Sequence, residues 1–246
     1  MKSLIVVCDD AGFASVDRGI ALLVERTGVH VFAEYLIDGD GAIERAKAMS
    51  AHPLVSVGIH LELTGIADAD RVAMTRDLKE KGTTLGEQPD IRRKACDDAR
   101  RQLATFRGAL GKDPAHVSTH GDFHLDASGT VMPWWDELMA ELFGGNPPPM
   151  QWEAPVIRHN AYSWNIGDTK REPLTPEEFG AELARHTSDV VEFVLHPAWP
   201  QPDDAPLGML FDARMRVRDV EAGIRILASG CIPAAGFGLD TGPSRR

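Results

Sequence analysis

Short apolar runs alternating with segments of helical period limit the folds open to this sequence. The runs fall near residues 3–8, 29–37, 54–60, 115–119, 153–158 and 190–195, with a last one near 231–236. Between them, Ile20, Leu23 and Val24 share one helical face, and Ile43, Ala46 and Met49 another. Further helices are expected near 94–110, 133–143, 175–186 and 217–229. Thr175-Pro176-Glu177-Glu178 supplies a capping hydroxyl, a first-turn proline and acids at a helix start. Such strand–helix alternation builds a mostly parallel sheet, so the chain reads as α/β. No linker divides its 246 residues, and a single domain over 1–246 is expected.

Three segments break the rhythm. Residues 64–90, rich in Gly, Asp, Arg and Lys, read as a long insertion that can serve as a lid. The proline-rich stretches 144–150 and 196–208 cannot form regular structure, and the tail at 240–246 is expected to fray. With 43% hydrophobic and 26% charged residues, the composition is that of a folded globule. A formal charge of −11 argues against nucleic acid, which needs a basic surface to displace its counterions. No run approaches the ~20 apolar residues that span a bilayer. The run Leu4–Cys8 is too short for a signal-peptide core, so a cytoplasmic location is expected. Cys8, Cys96 and Cys231 form no CxxC pattern and read as inert thiols.

In parallel sheets, function gathers beyond the C-terminal ends of the strands. Here the first strand ends in Asp9-Asp10, the third carries His60, the fourth leads into His120 and His124, and the sixth ends at His196. A lone strand-end aspartate is commonly a turn residue, and a lone histidine is commonly a hydrogen-bonded core residue. Their coincidence at four strand ends asks for another explanation. Neighbouring strand residues point to opposite faces, so Asp9 and Asp10 reach one site only where the strand is already turning. A carboxylate and two imidazoles make a three-ligand site for a divalent ion. A second carboxylate can then take a proton from water, and a further histidine can return one to a leaving group.

Other residues carry two readings each. Glu62 shares a strand face with His60 and can be a ligand, a second base or half of a cross-strand ion pair. Arg158 can face the site and steady Asp9, or pack at the surface. Trp199, in the loop after His196, can offer a stacking platform for a sugar ring. Glu34 and Tyr35 can contact substrate or face solvent. His30, His52, His116 and His186 read as structural, and His159 stays open. The absence of G-x-G-x-x-G and G-x-S-x-G patterns leaves nucleotide cofactors and a serine nucleophile without support.

Four of these stretches together resemble the YdjC-like carbohydrate deacetylases, a family that includes chitooligosaccharide deacetylases. They are "VVCDDAGFASVDRGI", "VGIHLELT", "HVSTHGDFHL" and "VLHPA", and the resemblance runs through nearly the whole chain. It implies a (β/α)-barrel-like fold related to the TIM barrel, irregular with seven or eight strands, and often a homodimer. It implies removal of an acetyl group from an N-acetylated sugar with a divalent metal ion. Position by position, Asp10, His60 and His120 match the metal ligands, Asp9 the candidate base and His196 the candidate acid. Zinc and magnesium are both associated with the family; the two histidines favour zinc or another transition metal. Glu62, His124, Arg158 and Trp199 are expected to contact substrate. The chain departs from the family pattern at Cys8 and Ala11, which flank the acidic pair, and at Ser118 and Asp122. A metal hydrolase of a phosphoester or cyclic amide, and a non-catalytic metal-containing sugar-binding protein, are the alternative readings.

Overall fold

A computed structural model describes residues 2–66, 68–121, 123–151, 153–158, 173–201 and 213–240. Asp122, His159, residues 202–208 of the proline-rich loop and the tail beyond 240 lie outside the described residues, as does the side chain of Arg158. Six parallel strands are hydrogen-bonded in the order β4-β3-β2-β1-β6-β5. They are β1 (Lys2–Ala11), β2 (Val31–Tyr35), β3 (Val55–Leu61), β4 (Val117–Thr119), β5 (Val156–Arg158) and β6 (Val190–Leu195). A short β7 (Phe237–Leu239) pairs with the start of β1. The sheet curls as a half-barrel, and among the described residues β4 and β5 do not pair, so the expected barrel-like fold takes an open form.

The helices are α1 (Ala14–Thr27), α2 (Ala42–Met49), α3 (Asp68–Glu80), α4 (Pro89–Leu110), α5 (Pro133–Phe143), α6 (Pro176–Arg185), α7 (Ala213–Ala228) and α8 (Cys231–Ala234). Their starts and stops follow local chemistry. Proline opens α4, α5 and α6, where a missing N–H costs nothing. Thr175 and Glu178 close a reciprocal capping box on α6. Residues 231–236, expected as a strand, instead form α8 and the turn after it: Pro233 has no amide hydrogen for a ladder but fits a helix's first turn. The expected insertion at 64–90 contains α3 and a 3-10 turn at Leu85–Glu87.

Both faces of the strands are buried, which is why they read as continuous apolar runs. Leu4, Val6, Cys8, Val31, Ala33, Val191 and Phe193 join the large core beneath the helices. The alternate residues Ile5, Val7, Phe32 and Val194 form a small separate cluster on the inner face. Toward the C-terminal edge that inner face turns polar, with Asp9, Glu34, His60 and Ser118 all buried.

Candidate metal centre

A bulge brings the two aspartates together. In β1, Cys8 pairs with Ala33 and Ala11 with Tyr35, so Asp9 and Asp10 both stand opposite Glu34. Asp10 takes up the extra residue with φ 60, the one non-glycine in the left-handed region among the described residues. Aspartate tolerates that conformation better than most residues. Beyond it Gly12, at φ 109, passes so close to Leu36 that a Cβ would lie 2.9 Å from the Leu36 carbonyl oxygen. The strand thus turns at the point where its side chains are needed.

Oδ1 of Asp10 lies 2.9 Å from Nδ1 of His120 and 3.4 Å from Nε2 of His60, and those two nitrogens are 3.3 Å apart. All three residues are buried, and Asp10 Oδ1 has no aligned hydrogen-bond donor among the described residues. An oxygen without an aligned donor and two ring nitrogens, linked to each other by one long 3.3 Å hydrogen bond, converge as three ligand atoms that can hold a cation. Burial alone would raise the Asp10 carboxyl, but charge on His120 and the Arg216 guanidinium hold it well below the usual carboxylate range. Arg216, itself buried, donates from Nη2 to Asp10 Oδ2 at 2.8 Å.

Asp9 Oδ2 accepts from Nε2 of Gln151 at 3.2 Å and lies 3.9 Å from Nε2 of His196. The backbone N–H of His196 donates to Oδ2 of Asp219 at 3.0 Å, which ties the loop after β6 to α7. Glu62 is half-buried, its backbone clasped on both sides by the Gln102 amide of α4. Trp199 is half-buried too, and its backbone N–H donates to the Ser15 carbonyl. His124 is buried against Phe123 and Trp135, with Nδ1 3.0 Å from the Thr119 hydroxyl, and stands outside the three-residue cluster. Arg158 belongs to β5. Arg71, from α3, donates to the His120 carbonyl and so anchors the 64–90 segment against the loop after β4.

Glu34 and Tyr35, expected near substrate or solvent, are both fully buried. Arg216, Asp219 and Gln151 escape a sequence reading. Arg216 and Asp219 share a helical face with apolar Val220, a pattern of buried charge within an apolar stripe that was the available signal. Gln151 offers none. Cys8 is wholly buried, and desolvation, followed by Asp9, Asp219 and Glu34, pushes its thiol up.

The fold and site define a parallel α/β half-barrel with an Asp-His-His cluster at its C-terminal edge. The sequence profile of the YdjC-like protein family matches residues 3–226, and the chain belongs to this family. A chitooligosaccharide deacetylase of Serratia marcescens is 25% identical over 129 residues, 50% of this chain and 51% of that one, so the match spans about half of that curated relative. Among solved structures, a candidate cellobiose-phosphate cleavage protein of Enterococcus faecalis V583 superposes with TM-score 0.57 at 20% identity, covering 97% of both chains. A CE4 esterase of Streptococcus mutans superposes with TM-score 0.55 at 12% identity, over 97% of this chain and 84% of that one. These likenesses show the fold.

Proposed function

We propose that this protein is a metal-dependent deacetylase that hydrolyses the acetamido group of an N-acetylated sugar. The observation that carries the proposal is the convergence of Asp10 Oδ1, His60 Nε2 and His120 Nδ1 beside the Asp9–His196 pair. Similarity to a chitooligosaccharide deacetylase supports the choice of bond and substrate class. Asp10, His60 and His120 would hold a divalent ion, and two imidazoles with one carboxylate favour zinc or another transition metal over magnesium. Bound there, such an ion supplies Lewis-acid polarisation of the acyl oxygen and acidification of water.

Asp9 accepts the proton of the attacking water, while Gln151 holds its carboxylate in place. The water oxygen bonds to the acetyl carbon. His196 delivers a proton from Nε2 to the sugar nitrogen as the carbon–nitrogen bond breaks, so acetate and a free amine leave. Asp219 fixes the backbone that carries His196. Glu62 and Trp199, half-buried beyond β3 and β6, are assigned to substrate contact, the indole offering a face for a sugar ring.

Acetate release from a panel of N-acetylated mono- and oligosaccharides tests this. The chelated protein should be inactive and should recover with zinc, cobalt or nickel. Release that survives complete chelation would refute the metal-dependent reading, and no release from any N-acetylated sugar would refute the substrate class.

A further inference from the structure

We infer that Glu34, acting through the Ser118 hydroxyl, is a positioning residue for His60, selecting the tautomer whose Nε2 lone pair faces Asp10 and His120. The inference rests on reading His60 as a metal ligand. Nδ1 of His60 lies 2.5 Å from Oγ of Ser118, and that hydroxyl donates to Oε2 of Glu34 at 3.0 Å. A hydroxyl has one proton. With it committed to the carboxylate, Ser118 Oγ must accept from His60, so Nδ1 carries the imidazole hydrogen and Nε2 is left bare.

The other oxygen of Glu34 faces a second partner. Its Oε1 lies 3.2 Å from Nδ1 of His116, whose Nε2 lies 3.0 Å from Oε1 of Glu192. Burial would lower His116, but the two glutamates outweigh it and push the imidazole up to about 10, so it is a cation between two carboxylates at neutral pH. His60, Ser118, Glu34, His116 and Glu192 come from β3, β4, β2, the approach to β4, and β6, and all are buried. The strand positions therefore build one polar line across the inner face that ends on Nδ1 of His60, the ring nitrogen opposite its proposed ligand atom. Gly58 leaves room for it, since a Cβ there would collide with the Glu34 carboxylate.

Outer partners of metal-bound histidines typically change affinity by about 10- to 100-fold. Two readouts test the relay without turnover. In the metal-free protein, imidazole nitrogen-15 shifts should show His60 as the Nδ1–H tautomer, moving toward Nε2–H in Ser118→Ala. A wild-type His60 protonated on Nε2 would overturn the inference. Zinc affinity, measured by competition with a chromophoric chelator, should fall by about 10- to 100-fold in Ser118→Ala and be largely restored in Ser118→Thr. Glu34→Gln should cost a similar factor alone and almost nothing further in the Ser118→Ala background. Equal costs in both backgrounds, or wild-type affinity in Ser118→Ala, would overturn it. Wild-type protein that binds no zinc while keeping the predicted tautomer would instead refute the metal-centre reading, and with it the role claimed for the relay.

Discussion

At the residue scale, the site depends on charges placed where water cannot reach them. Asp9→Asn keeps the shape and the proposed ligand set but removes the proposed proton acceptor. Its turnover should fall by about 10²- to 10⁴-fold with metal content unchanged, checked by acetate release and elemental analysis. Arg216→Leu breaks a buried ion pair and strips Asp10 Oδ2 of its guanidinium partner. It should cost about 3–5 kcal/mol in urea unfolding. His116 gives a pH signature. Its pKa is raised to about 10, against about 6.5 in an unfolded chain, so its stabilisation is fully present below about pH 6.5 and lost as pH rises toward 10. The stability difference between wild type and His116→Gln should therefore shrink across that window; a constant difference would contradict the cation between Glu34 and Glu192.

At the scale of elements, the β1 bulge and the inner polar line explain what was legible and what was not. Asp9, Asp10, His60, His120 and His196 stand out in sequence because each follows or interrupts an apolar run. The turn required by two adjacent aspartates was readable too, and the bulge at Asp10 is that turn. Ser118 reads as a departure from a family pattern, but its link to Glu34 depends on the register of β2, β3 and β4, which no local pattern encodes. Arg216 and Asp219 lie on α7, remote in sequence from the strand ends they support. Gly58→Ala tests the inner packing, because its methyl would displace Glu34 and press within 2.7 Å of the His116 carbonyl oxygen. Overpacking of this kind should cost about 1–3 kcal/mol, read as a lowered thermal midpoint.

On the scale of the whole molecule, alternating runs were enough to specify a parallel α/β sheet, since strands buried on both faces must be apolar throughout. Closure was not legible: whether the edge strands β4 and β5 meet depends on strand tilt and shear summed over the sheet. The error at 231–236 was local, an apolar stretch whose proline placed it in a helix. If the strand ends share a bound ion, folding and binding are linked. At a free metal concentration 100 times Kd the native state should gain about 2.7 kcal/mol. That corresponds to roughly 5–10 °C in Tm for a chain of this size, measured with and without chelator. The most direct test of the account is the count of tightly held divalent metal per chain after dialysis against metal-free buffer. We predict one per chain in the wild type and none in Asp10→Asn or His120→Ala; no metal in the wild type, or full occupancy in both variants, would contradict the centre.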